Sequence, residues 1–183
     1  MHIDEKDLIN DLKDETRRAM AFHLLVKSYQ ERLYWHIRKI VINHDDTDDV
    51  LQNVFLKVWK SIENFRADSS LFTWLYRIAT NEALSFINER KRKSHHLLDE
   101  GSEFLLSTLE ADEYFEGDQA QMKLQKAILT LPDKQRLVFN MKYFDEMKYH
   151  EMAEILDTSV GALKASYHHA VKKIEAYLED NYL

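Results

Sequence analysis

Residues that make sharp turns are nearly absent from this chain: its 183 residues include 3 glycines and 1 proline. A β-sandwich or barrel needs many tight turns, built on Gly, Pro or Asn-Gly pairs at set positions. The chain is therefore expected to be all-α, made of long helices with few reversals. Hydrophobic residues make up 45% and charged residues 31%, enough apolar material for a core and too much for a disordered chain. Cysteine is absent, which excludes a disulfide scaffold, a zinc ribbon and a thiol nucleophile, and suits a cytoplasmic location. Acids crowd the start, from Asp4 to Asp7, with no apolar run behind them, unlike a secretory leader. No stretch reaches the ~18 apolar residues of a membrane span, so no membrane insertion is expected.

The net charge of −7 argues at first against a nucleic-acid partner. Its distribution reverses that reading. Residues 1–93 hold 16 basic and 15 acidic side chains, and residues 123–183 hold 9 of each. Residues 94–122 hold 8 acids and no Lys or Arg. The whole excess lies in one segment, so the flanking parts are free to carry basic faces.

Two helical modules, 1–93 and 123–183, are expected on either side of a 94–122 linker. In the first, residues 17–44 form one amphipathic stretch, with Leu25, Leu33, Ile37 and Ile40 near helical spacing. Asp45 to Asp49 should break that helix and supply the N-cap and first-turn acids of the next. Val50, Val54, Val58 and Ile62 then make a stripe of period near 3.6. A polar loop, Asn64–Ser70, precedes a third helix over about 71–92, capped by Asp68 or Ser69. The linker is expected to be largely coil with a short helix around Phe104–Leu109. As a coil it spans roughly 30 Å, and extended up to about 95 Å. In the second module, Leu124–Leu131 is one helix and Pro132 falls in the first turn of another. Tyr149–Leu156, the turn Asp157-Thr158-Ser159 and Val160–Leu178 then give a helix-turn-helix pattern.

Two stretches can carry chemistry. Between Asp157 and Glu175 there is no acid, while Lys164, His168, His169, Lys172 and Lys173 all lie there with Ser159, Ser166 and Tyr167. A helix free of carboxylates can approach phosphates and base edges without repulsion. It can also be a solvated surface helix. In the first module, Phe72, Trp74 and Tyr76 precede Arg77, Asn81 and the run Arg90-Lys91-Arg92-Lys93. Aromatic faces stack on unpaired bases and a basic flank tracks the backbone. Trp74 and Phe72 can instead be core anchors, the reading preferred for Trp74 and Leu75, and the cations partners of the helix dipole, although four in a row exceed what a dipole needs.

Enzyme chemistry finds no support. His150-Glu151 opens like a zinc-protease helix, but Glu154 stands where the second His belongs. Asp45–Asp49 lacks the glycine and terminal glutamate of a calcium loop. His95-His96 and His168-His169 are sequence neighbours, which on a helix point about 100° apart and chelate poorly. No catalysis, metal, cofactor or small-molecule substrate is expected.

Three segments resemble region 2 of bacterial sigma factors: Asp48-Asp49-Val50-Leu51-Gln52-Asn53-Val54-Phe55, Phe65-Arg66-Ala67-Asp68-Ser69-Ser70, and Thr73-Trp74-Leu75-Tyr76-Arg77-Ile78-Ala79-Thr80-Asn81. Leu131-Pro132, Tyr149–Leu156 and Val160-Gly161-Ala162-Leu163-Lys164 resemble region 4. The small two-module form is similar to the extracytoplasmic function group.

The resemblance implies a promoter-specificity subunit of RNA polymerase that helps open the duplex. It places Asp49, Gln52, Asn53 and Lys57 against the clamp helices of the core enzyme. Phe65, Arg66, Phe72, Trp74, Arg77, Asn81 and the cations Arg90, Lys91, Arg92 and Lys93 would read and melt the −10 element, with a base flipped into the Asn64–Ser70 loop. An extruded base costs a few kcal/mol of unstacking, which stacking and amide contacts can offset. The helix from Val160 would enter the major groove of the −35 element through Ser159, Lys164, Ser166, Tyr167, His168, His169 and Lys172. Many relatives carry Arg where Ser166, His169 and Val171 stand here, so fewer cations are left for phosphate anchoring. The resemblance also implies an anti-sigma protein as a partner. Two rival readings stay open: a stand-alone helix-turn-helix regulator, and a sigma-like decoy that binds only an anti-sigma protein.

Overall fold

The computed structural model of the protein describes residues 5–93, 101–110 and 118–182. Every regular element among them is helical: α1 Glu5–Lys13, α2 Arg18–Val41, α3 His44–Ser61, α4 Leu71–Lys93, α5 Gly101–Glu110, α6 Gln119–Leu129, α7 Asp133–Tyr143, α8 Tyr149–Leu156 and α9 Val160–Tyr182, with a 3-10 turn at Ile62–Asn64. The all-α expectation holds. In the first body α2, α3 and α4 pack on one another, and α1 lies across α2 and the 3-10 turn. In the second, α6, α7 and α8 all pack on α9.

Local chemistry sets the helix ends, and several fall elsewhere than expected. The break after α2 comes at Ile42, where φ is 72°. That is the left-handed region, costly for a β-branched residue. Asn43, not the Asp45–Asp49 cluster, caps α3: its side chain accepts the Asp46 N–H at 2.9 Å. Asp45 and Asp46 fill the first turn, as expected. Ser70, rather than Asp68 or Ser69, caps α4 by accepting the Thr73 N–H at 3.1 Å. Pro132 precedes α7 as its N-cap instead of entering its first turn. Asp118 and Gln121 form a reciprocal capping box, so α6 begins at Gln119, ahead of residue 123. The helix-turn-helix pair starts and turns where its pattern said: Asp157 adopts the left-handed conformation at φ 48° and the Ser159 hydroxyl accepts the Ala162 N–H at 3.2 Å. The second helix of the pair runs on to Tyr182.

The largest buried cluster runs through both bodies. Leu25, Leu33, Ile37, Val54, Leu71 and Leu75 of the first join Met141, Met147, Met152 and Ile155 of the second. A smaller cluster around Ile128, Phe139 and Ile174 belongs to the second body alone. The expected linker helix exists as α5, but it is docked. Leu105 and Leu109 bury against Ile42 and Leu129, and Lys126 donates to Glu110 at 2.6 Å. Of the linker's 8 acids, Asp99, Glu100, Asp112, Glu113 and Glu116 lie outside the described residues, as do His95 and His96.

Candidate nucleic-acid interface and partner-binding face

The loop before α4 is held at both ends by α1, an element the sequence pattern did not reveal. The Lys13 ammonium donates to the Phe65 carbonyl at 2.7 Å. The Glu5 carboxylate accepts the Leu71 N–H at 2.8 Å, placing an anion at the α4 N-terminus where the helix dipole favours it. Between these anchors Arg66, Ala67 and Asp68 are exposed, and Ala67 sits at φ 58°. The helical spacing of the apolar residues Leu8, Ile9 and Leu12 was the available signal, since all three bury.

Along α4 the expected site residues divide. Arg77 and Asn81 are exposed one turn apart on the same face. Phe65 is 4% exposed and packs 4.9 Å from the Trp74 ring, so its ring is not open to a base here. Trp74 is half-buried in the same cluster, as its core-anchor reading held. Phe72 is partly buried, lying 4.3 Å from the Tyr76 ring, with the Arg32 guanidinium 5.3 Å above it. Burial pushes the Tyr76 phenol up to about 12, so it stays neutral. The terminal cations are less free than expected: Arg90 pairs with Asp46, Lys91 with Asp133 at 2.8 Å, and Lys93 with Glu89 at 2.8 Å. The Lys91 and Lys93 pairs are exposed, weak and readily exchanged for phosphate, whereas the Arg90–Asp46 pair is partly buried. Arg92 is exposed.

On α9, Lys164, His168 and Lys172 recur every fourth residue and are all exposed, with His169 beside them. Ser159 is used as a cap. Ser166 is half-buried. Tyr167 stacks on Phe139 at 5.7 Å and 13°, joining the core, which burial-raised ionisation of its phenol reflects. In this structure its ring is a packing group rather than a free contact.

The outer face of α3 presents Asp49, Gln52, Asn53 and Lys57, all exposed, with Lys57 paired to Glu82. The sequence reading missed an apolar part of the same surface. Leu56 is 51% exposed, and Trp59, one turn further along the same face of α3, is 36% exposed. The Trp59 ring is held by Phe22 at 4.9 Å and by the Arg18 guanidinium at 4.4 Å. Leu56 lies out of phase with the buried stripe Val50, Val54, Val58, and that mismatch was the signal for it.

The two bodies meet along a polar seam. Asp145, in the turn after α7, accepts from His36 Nδ1 at 2.7 Å and pairs with Lys39 Nζ at 2.6 Å. His36 Nε2 lies 2.8 Å from the Thr80 hydroxyl. Burial pushes the Asp145 carboxyl up, but the His36 hydrogen bond and the His36 and Lys39 charges outweigh it and hold the group below its usual value. Arg77 donates to the Glu154 carbonyl at 2.6 Å. A cleft of about 1640 Å³ lies between the Ala67–Ser70 loop, α2 at Tyr29 and Arg32, and α8 at His150, Glu151 and Glu154. Among the described residues no cluster of His, Asp or Glu could hold a metal, and no helix is long and apolar enough to cross a membrane.

Comparison with known proteins matches these same two bodies. The family model for sigma-70 region 2 covers residues 25–93, and that for sigma-70, region 4, covers residues 121–174. The chain is 33% identical over 170 residues to the ECF RNA polymerase sigma factor SigW of Bacillus subtilis, covering 87% of this chain and 90% of that protein. It is 29% identical over 175 residues to the RNA polymerase sigma-H factor of Pseudomonas aeruginosa, covering 87% and 86%. Its fold matches that of CnrH in complex with the cytosolic domain of CnrY, with a TM-score of 0.68 at 21% identity over 97% of this chain and 98% of that one. It also matches the sigma factor RpoE in complex with the anti-sigma factor NepR from Bartonella quintana, with a TM-score of 0.67 at 19% identity over 87% and 98%.

Proposed function

This chain belongs to the sigma-70 family, within its extracytoplasmic function group, and from that premise we propose how its residues divide the work of promoter recognition. The protein binds core RNA polymerase and promoter DNA and directs initiation at specific promoters. It acts in the cytoplasm, catalyses no reaction itself, and is restrained by an anti-sigma protein.

Residues 1–93 take the polymerase and the −10 element, and residues 123–183 take the −35 element. Asp49, Gln52, Asn53 and Lys57, with Leu56 among them, form the polymerase face. Arg66, Arg77 and Asn81 handle the opened −10 strand, and Lys164, His168, His169 and Lys172 the −35 duplex. The observation that carries this reading is the pairing of two exposed faces on separate bodies: Arg77 with Asn81 on α4, and the acid-free row on α9. Elements 20–25 base pairs apart lie about 70–85 Å along B-DNA, more than one small body reaches.

Promoter-library transcription with purified core enzyme is the direct test. Specific transcripts are expected only when chain and core are both present. Tight duplex binding without core would favour the stand-alone regulator. Two substitutions probe the division. Asn81→Ala is expected to lower open-complex formation, read by permanganate footprinting, with polymerase affinity unchanged; equal loss of both would make Asn81 structural. Lys164→Ala should weaken −35 binding and reduce the slope of log affinity against log salt by about 1. An unaltered slope would remove Lys164 from the phosphate contacts.

A further inference from the structure

The loop before α4 is held from outside. Among the described residues no hydrogen bond starts or ends on the backbone of residues 66–69, and Ala67 sits in the left-handed region at φ 58°. A residue with a side chain stays in that region only where its surroundings impose it. The surroundings here include α1, which runs antiparallel to the loop with Lys13 bonded at the Phe65 end and Glu5 at the Leu71 end. Both bonds join a full charge to a backbone group, which makes them stronger than neutral ones. The Leu71 N–H is also one of the donors that the start of a helix leaves without a partner. α1 is itself seated firmly, with Leu12 at 0% exposure and Leu8 and Ile9 buried beside it. The turn that leads from α1 into α2 is closed by Asp14, whose carboxylate accepts the Thr16 N–H at 2.8 Å and the Thr16 hydroxyl at 2.6 Å. All of α1 lies ahead of residues 25–93, the part that the region 2 family model matches.

We propose that α1 is a splint for the loop that takes the opened −10 strand, with Glu5 and Lys13 as positioning residues that set base discrimination without touching a base. This deepens the reading above and rests on it. A loop that must order itself as a base enters loses part of its contact energy to that ordering. A loose loop also adapts to wrong bases as well as to the right one, so fixing its ends sharpens the difference between them. The two charges suit this task. The Glu5 carboxylate is directed at the α4 N-terminus, where the helix dipole offsets its repulsion of a nearby strand. The Lys13 ammonium is directed at a backbone carbonyl of the loop, which leaves Arg66 as the exposed cation within it. Removing either bond frees one end of the loop while the apolar seat of α1, through Leu8, Ile9 and Leu12, stays in place.

The test joins the full chain to core polymerase and measures binding of single-stranded −10 oligonucleotides, taken from promoters that the library yields and varied one base at a time. Combining Glu5→Ala with Lys13→Met should reduce the preference for the cognate base about tenfold, since each lost bond is to a charged group. Affinity for core and for −35 duplex should stay at the parent level. Lys13→Arg and Glu5→Gln keep a donor and an acceptor, and should retain most of the preference. If circular dichroism shows that the double variant has lost helix, Lys13→Met alone decides. Parent-like base preference in the folded variants would overturn the splint. So would an equal loss of core affinity, which would make α1 a general support of the fold. Amide exchange in the free chain gives a readout that needs no polymerase: Glu5→Ala should speed exchange of the Leu71 N–H on the order of tenfold. Unchanged exchange would overturn the splint by itself. A parent chain that opened no promoter with core would instead sink the sigma-factor reading, and Leu71 exchange would still judge whether α1 fixes the loop.

Discussion

Leu56→Glu is expected to cut affinity for core RNA polymerase about 100-fold while leaving the fold unmoved. Leu56 is 51% exposed on α3, amid the polar residues Gln52, Asn53 and Lys57, so its side chain contributes little to the core. An apolar group left exposed one turn from Trp59, on the same face of α3, marks a partner's docking patch. Burying a carboxylate in the centre of such a contact leaves it without water or a partner, and central residues commonly carry about 2–4 kcal/mol. Surface plasmon resonance with immobilised core enzyme measures the loss, and thermal melting checks the fold. Affinity within threefold of the parent would move the polymerase face off this part of α3.

Leu75→Ala should lower stability by about 3 kcal/mol, within the range of roughly 2–5 for buried leucines. Leu75 is 0% exposed at the centre of the cluster that joins α2, α3 and α4. Its removal loses transfer energy and opens a cavity that fixed neighbours such as Leu33 and Ile37 cannot fill. Urea unfolding followed by circular dichroism gives the value. A loss below about 1 kcal/mol would mean that the three-helix packing is looser than the buried surface indicates. Because that cluster continues into Met152 and Ile155, part of the loss should appear in both bodies rather than in the first alone.

The helices were legible because the signals that make them are local. Apolar spacing fixed the buried faces of α2, α3 and α4, and Ser159 with Asp157 fixed the turn of the helix-turn-helix. Cap identity was harder, since Asn43, Ser70 and Asp118 compete with several equally suitable neighbours within a few residues. In the candidate site the exposed row on α9 followed from its missing acids. Phe65 and Tyr167 did not follow the same logic, because an aromatic ring reads identically in sequence whether it faces a base or a core.

Composition and periodicity alone therefore determined that this chain is helical, that an acidic segment divides it, and where its recognition helix begins. Only the tertiary structure decided that α1 ties down the loop before α4, that α5 docks on Ile42 and Leu129, and that Asp145 meets a histidine 109 residues away. Helix formation is settled by side chains within about a turn of one another. Contacts between distant segments depend on which buried surfaces fit and which charges they bring together, and no short window of sequence contains both halves of such a pair.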